Sequence, residues 1–252
     1  MRIPIGLELY SVRHDFARDP LGTLKTVAEM GYEGVEFAGP PALSGMLLRA
    51  MLDEVGLVCC GWHTPFAMVQ DDQLAATIAL NKAVGNRRVI VPGIPRELVD
   101  SRAKWRAMAD FFNALADKLA PHDMVTGYHN HTVEFTPLDG EHPWDTFFGN
   151  TDPRVVMQLD TGNAMHGGAD PAAILRQYPG RAGAVHLKPY TPGASEPFKA
   201  PIGEDASDWP AIFAACDAAA ATDWYIVEYE SDAYPPLEAV DKCLRGLKGM
   251  GK

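Results

Sequence analysis

The sequence predicts a single-domain (β/α)8 barrel spanning residues 1–252. Three observations predict it. Short apolar runs and helix-like segments alternate along the whole chain, eight times over, which implies parallel strands joined by crossover helices. A length of 252 residues is that of one closed barrel rather than of two smaller domains. No G-x-G-x-x-G follows the first strand, where Ser11, Val12 and Arg13 stand instead, which argues against an open dinucleotide-binding sheet.

The elements follow in order. Residues 5–10 form the first apolar run, bounded by Pro4. Asp19-Pro20 opens a helix that runs to Met30 and closes at Gly31, the proline-in, glycine-out asymmetry of helix ends. The second strand covers 34–37. A helix over 43–55 ends at Gly56, the third strand covers 57–62, and a helix over 71–84 ends at Gly85. The fourth strand, 88–91, stops at Pro92-Gly93, and a long helix over 97–120 stops at Pro121. Strands five to eight cover 124–130, 155–160, 182–187 and 225–229. Helices over 143–148, 171–178, 209–220 and 236–247 follow them in turn. Two connections are long, 132–142 and 191–208. Both leave strand C-termini, the face on which such barrels build their sites, and long loops there can act as lids.

The chain is 47% hydrophobic and 22% charged, which suits a soluble globular protein with a large core. A net charge of -11 with no basic stripe excludes a general nucleic-acid or anionic-membrane binder. The four cysteines, Cys59, Cys60, Cys216 and Cys243, form no C-x-x-C pair, so neither a structural zinc site nor a disulfide framework is expected. They read as reduced, buried thiols. The opening MRIPIGLELYSVRHDF lacks a secretory apolar region, and no apolar stretch reaches the ~20 residues that span a bilayer. The expectation is a cytoplasmic protein, with homo-oligomerisation left open.

Four segments carry the chemistry: GYHNHTVEF (127–135), VMQLDTGNA (156–164), AVHLKPY (184–190) and WYIVEYE (224–230). Each begins as a buried strand and ends in His, Asp or Glu. Burying a charge costs several kcal/mol unless it is paired or bound to a metal. In a parallel barrel all strand C-termini open on one face, so Asp160, His186 and Glu228 converge. Two carboxylates and an imidazole suit one divalent cation such as Mn, Co, Mg or Zn. Strand five offers a fourth ligand from His129, His131 or Glu134.

In this order, GLELYSVR, GYEGVEFAG, YHNHTVEF, LDTGNA, HLKPY, IGEDASDWPAIF and IVEYE resemble the xylose isomerase-like TIM-barrel superfamily, within its sugar phosphate isomerase/epimerase group. The resemblance covers essentially the whole chain. It implies one divalent metal held by Glu, Asp, His and Glu from strands five to eight. Asp160, His186 and Glu228 match three of these. Strand five departs, because many relatives carry a Glu where this chain has Tyr128 or His129. The assignment there falls to Glu134, with His129 as the alternative. Other candidates for the pocket are His63 and Trp62 at the end of strand three, the latter as a sugar-stacking wall. Asn163, His166, Lys188, Glu8 and Glu36 complete the candidates. Trp105, Trp144 and Trp209 read as helix packing.

The resemblance implies a small-molecule sugar substrate and an enediolate chemistry, with no nucleic acid and no membrane. Glu228 is the expected base and His129 or His131 the opposing acid/base. Isomerisation or epimerisation is the first expectation. A lyase of the same superfamily, inosose dehydratase-like or cleaving 3-keto-glycosides, is the alternative, and a non-catalytic sugar-binding barrel the third. The apurinic-site endonucleases of the superfamily need more ligands and a basic face than this chain offers.

Overall fold

A computed structural model describes residues 2–219 and 221–252. Eight strands close into a parallel barrel in sequential order. They are β1 (Ile5–Glu8), β2 (Gly34–Ala38), β3 (Val58–His63), β4 (Arg88–Val91), β5 (Val125–His129), β6 (Val156–Asp160), β7 (Ala184–Leu187) and β8 (Trp224–Val227). Helices pack outside them, and the core between the two layers is a continuous set of buried Leu, Val, Ile and aromatic side chains. All four cysteines are free and buried. Among the described residues no helix is long and apolar enough to cross a membrane.

Most helix ends follow the signals in the sequence. Pro20–Met30 starts with Asp19 accepting from the Gly22 N–H and stops at Gly31, whose φ of 101° is the left-handed conformation that glycine permits. Several boundaries differ from expectation. The first strand stops at Glu8, and a 3-10 turn, Leu9–Val12, leads into an extra helix, Arg13–Arg18. The helix expected over 97–120 begins at Arg102, because the Ser101 hydroxyl accepts from the Lys104 N–H and caps it there. A short helix, Thr161–His166, follows β6 directly and is capped by Asp160. Ala220, the end of the helix expected over 209–220, lies outside the described residues.

Register decides which side chains meet inside the barrel. Glu8 pairs with Glu36 across β1 and β2, His129 with Gln158 across β5 and β6, and Asp160 with His186 across β6 and β7. The β2–β3 ladder slips by one residue: Val35 pairs with Cys59 but Glu36 with Gly61. Cys60 is the extra residue, as in a β-bulge. A Cβ on Gly61 would lie 2.0 Å from Glu36 Oε1, so this glycine leaves the space that the buried carboxylate fills.

The 191–208 connection is ordered. The Asp205 carboxylate accepts from the backbone N–H groups of Tyr190, Gly203 and Ser207 and from Trp209 Nε1. The Tyr229 hydroxyl donates to the Lys199 carbonyl at 2.6 Å. The last helix, Pro236–Gly249, meets this connection where a Cβ on Gly246 would stand 1.9 Å from the Ile202 carbonyl oxygen. Gly246→Ala is therefore expected to cost about 1–3 kcal/mol through overpacking against fixed backbone. Thermal melting should show a fall of about 2–4 °C for each kcal/mol. An unchanged melting temperature would contradict that contact.

Candidate active site

The barrel mouth carries a cleft of about 660 Å³, lined in part by Glu8, His63, His129, His131, Glu228 and Glu230. The strand ends deliver His129, Asp160, His186 and Glu228 to one place. A ligand atom from each lies within 4.8 Å of the others, and all four residues are buried. The three residues expected from strands six to eight therefore converge, and His129 is the strand-five member of the group. Glu134 is not brought into it. Its carboxylate accepts from the Tyr128 hydroxyl at 2.6 Å and from the His131 N–H at 2.8 Å. The chain turns into a short 3-10 helix, Val133–Phe135, right after the strand, and this consumes the Glu134 side chain locally.

Around the four lies a network, and the sequence did not single out the residue at its centre. Its hub is Gln158, fully buried on β6. Gln158 Nε2 donates to both Glu36 oxygens, at 2.9 and 3.2 Å. Its Oε1 lies 2.7 Å from His63 Nε2 and 3.1 Å from His129 Nδ1. An amide oxygen only accepts, so both imidazoles donate to it. His129 is left with a bare Nε2, 3.9 Å from Asp160 Oδ2. His186 bridges two carboxylates, with Nε2 2.6 Å from Glu36 and Nδ1 2.7 Å from Glu228. Lys188 is buried and donates to Glu228 Oε1 at 3.2 Å and to Glu230. Its ammonium lies 5.2 Å from the Phe198 ring centre, on the long 191–208 connection.

Burial and charge set the protonation of these groups. Burial pulls His129 well below the ordinary histidine value, helped by His63 and His186, which favours its neutral form. Burial lowers His63 as well. For His186 burial acts downward too, but the hydrogen bonds to Glu228 and Glu36 outweigh it and raise it to about 10. Burial pushes upward on Glu228 and Glu36. Lys188 and His186 nevertheless hold Glu228 well below the carboxylate range, and His63 and His186 bring Glu36 to about 2. Asp160 goes the other way: burial raises it to about 7 against the pull of Lys188. Glu8 is raised well above its ordinary value by burial and by the nearby Glu36 and Glu228.

Among the described residues, two carboxyl groups of the site are left unsatisfied. Asp160 Oδ1 accepts the Asn163 N–H as a helix cap, at 2.7 Å, but the buried Oδ2 has no hydrogen-bond partner. Both Glu8 oxygens are likewise buried and unpartnered. An orphaned carboxylate oxygen beside a bare imidazole nitrogen, in a group of two imidazoles and two carboxylates, fits a divalent cation.

The remaining candidates divide. His63 and His131 line the cleft. Asn163 is tied to Asp160 and to the Asn130 carbonyl. Lys188 is committed to its two glutamates. Trp62 does not face this cleft. It lines a neighbouring chamber on the outer side of β2 and β3. Glu230, which the sequence reading passed over, lines the cleft two residues beyond Glu228.

Residues 24–250 match a protein family described as xylose isomerase-like TIM barrel. Among curated proteins, an inosose dehydratase of Geobacillus thermodenitrificans is 28% identical over 157 residues, covering 56% of this chain and 52% of that protein. The chain thus spans about half the length of this first relative. An inosose dehydratase of Klebsiella pneumoniae is 26% identical over 247 residues, covering 82% of each. Among solved structures, a sugar phosphate isomerase/epimerase of Parabacteroides distasonis superposes with a TM-score of 0.82 at 21% identity over 98% of both chains, a likeness of fold.

The Asp160 shift has a consequence for stability. Its folded value of about 7 lies above the ordinary 3.8, so over that interval the native state keeps a proton that the unfolded chain releases. The contribution of Asp160 to stability therefore falls as pH rises from about 4 through 7. Asp160→Asn keeps the neutral form at every pH. In chelator, the variant should melt higher than the parent protein at pH 8 and no higher at pH 4. A difference independent of pH would contradict the assignment.

Proposed function

The chain belongs to the xylose isomerase-like TIM-barrel family, and from that premise we propose that it is a metal-dependent isomerase or epimerase of a sugar or keto-sugar. The reaction is proton transfer beside a carbonyl, through an enediolate. One observation carries this reading: the orphaned Asp160 Oδ2 facing the bare Nε2 of His129 inside a buried four-residue donor group at the cleft. His129, Asp160, His186 and Glu228 would hold the ion. When bound, a divalent cation supplies Lewis-acid polarisation of the carbonyl and stabilises developing negative charge. Two imidazoles among four donors favour Mn, Co or Zn over Mg.

The chain's own residues supply the rest. Gln158 and Glu36 orient His129 and His186 by accepting their outward N–H groups, the support that metal-ligating histidines ordinarily have. Glu228, kept ionised by Lys188 and His186, is the carboxylate placed to take a proton. His131, also on the cleft wall, is the group placed to return one. Return to the neighbouring carbon is isomerisation, and return to the opposite face is epimerisation.

A second reading, a lyase, is favoured by the imidazole of His131 on the same cleft. It can protonate a leaving hydroxyl, so the enediolate would lose water instead. The inosose dehydratases among the relatives make keto-inositols the first substrates to try for it.

Purified protein should contain about one divalent cation per chain by elemental analysis. His129→Ala should abolish that content and Glu134→Gln should leave it intact, while Gln158→Leu weakens binding by about 10- to 100-fold. The loaded protein should then be incubated in deuterium oxide with aldoses, ketoses and keto-inositols. Deuterium uptake with a change of configuration supports the isomerase/epimerase reading, and an absorbance rise from water loss supports the lyase. Tight sugar binding without exchange would leave a non-catalytic barrel.

A further inference from the structure

Gln158 Oε1 accepts from two imidazoles, and each is left with one bare nitrogen. His129 Nε2 faces the Asp160 Oδ2 of the donor group described above. The second imidazole repeats the pattern. His63 donates through Nε2 to Gln158 at 2.7 Å, so its Nδ1 is bare, and that Nδ1 lies 3.9 Å from Glu8 Oε1. The Gln158 amide cannot be turned the other way round, because its nitrogen donates to both oxygens of Glu36, and a carboxylate only accepts. Glu8 is 0% exposed, and among the described residues neither of its oxygens has a hydrogen-bond partner.

Strands one to three build this second group, as strands five to eight build the first. Glu8 stands opposite Glu36 in the β1–β2 register, and the bulge in β3 brings His63 round to the cleft that Glu8 also lines. Glu8, Glu36, His63 and His186 thereby bring one donor atom each to within 4.8 Å of one another. His186 is already committed, with Nε2 on Glu36 and Nδ1 on Glu228. Two carboxyl groups and one imidazole remain.

The gap of 3.9 Å between His63 Nδ1 and Glu8 Oε1 is too long for a hydrogen bond. It fits two donors on one ion, since bonds of ~2.0–2.2 Å place them up to ~4.3 Å apart. Glu36 has His186 beside it as a counter-charge, whereas Glu8 has none. Burial, with Glu36 and Glu228 close by, raises Glu8 well above its ordinary value, so a proton stays on it until a cation takes that place.

We propose that Glu8, Glu36 and His63 Nδ1 form a second divalent-cation site, separate from the first and joined to it through Gln158. An imidazole with two carboxylates suits Zn, Co or Mn. This is the weaker of the two sites, because it has three donors against four and Glu36 also accepts from Gln158 and His186. Its loss would leave the first ion, and the sugar chemistry drawn from it, in place.

The test titrates the full chain, stripped with chelator and dialysed, with Mn2+ by calorimetry and equilibrium dialysis. Two ions per chain should bind, the second at least tenfold more weakly and lost on desalting. Glu8→Gln should keep only the tighter ion and His129→Ala only the weaker, with circular dichroism confirming that both variants fold. The His63 and His129 ring centres are 4.6 Å apart, so the two ions lie close together. Electron paramagnetic resonance of the parent chain at two equivalents should therefore show a dipole-broadened manganese pair, and each variant an isolated ion. Saturation of the parent at one ion overturns the proposal while the first site stands. Two ions without broadening in the parent also overturn it, by placing the second on surface carboxylates, and this readout needs no variant. Glu8→Gln that still binds two ions overturns it too. A chain that binds no ion overturns it together with the metal-dependent reading above.

Discussion

Charge buried in the top of the barrel is the constraint on which the rest of this structure depends. Glu36, Asp160 and His186 are 0% exposed and Lys188 is 1% exposed. None can be solvated by water, so each must be paired or leave its charged form. The chain pairs most of them by alternation. His186 lies between Glu36 and Glu228, Lys188 between Glu228 and Glu230, and Gln158 closes the arrangement on Glu36. The pairing does not reach Asp160 Oδ2 or the Glu8 carboxyl. What is left over is therefore negative or acidic, buried, and at the cleft, which is the remainder a bound cation and a polyhydroxy ligand would complete.

Asp160 shows how little a helix cap and a site residue exclude one another. Its position is explained by capping alone: the aspartate ends β6, turns the chain and accepts from Asn163. Yet a carboxylate has two oxygens, and the cap uses one. The second is aimed inward by the same geometry that satisfies the first, so the cap pre-orients that free oxygen. No side-chain entropy remains to be lost when that oxygen is engaged.

The barrel was legible because eight alternations of apolar run and helix admit few topologies. Asp160, His186 and Glu228 were legible because each is a charged residue at the end of an apolar run. Gln158 was not, since a neutral amide inside VMQLD carries no charge to explain. The expected strand-five ligand, Glu134, stays outside the donor group for a local reason. Nothing in NHTVEF declares the tight 3-10 turn that folds Glu134 back onto the Tyr128 hydroxyl and the His131 N–H. With that carboxylate spent, His129 at the strand end is what remains near Asp160.

Trp62 teaches a different lesson, because adjacency in sequence suggested a shared pocket with His63. Strand geometry forbids it: successive side chains point to opposite faces. Simple alternation would still have chosen the wrong one. Cys60 packs inside the barrel with Ala184 and Ile226, and counting by twos from it would place Trp62 inside and His63 outside. The single-residue slip opposite Val35 and Glu36 reverses the count. It sends His63 into the cleft and Trp62 against Phe37 in the outer chamber. One bulge thus turns His63 toward the polar cleft and Trp62 toward the apolar layer around Phe37. Since β2 carries Glu36 inward and Phe37 outward at that same point, the residues that orient the donor group and those that form the apolar wall cannot move independently.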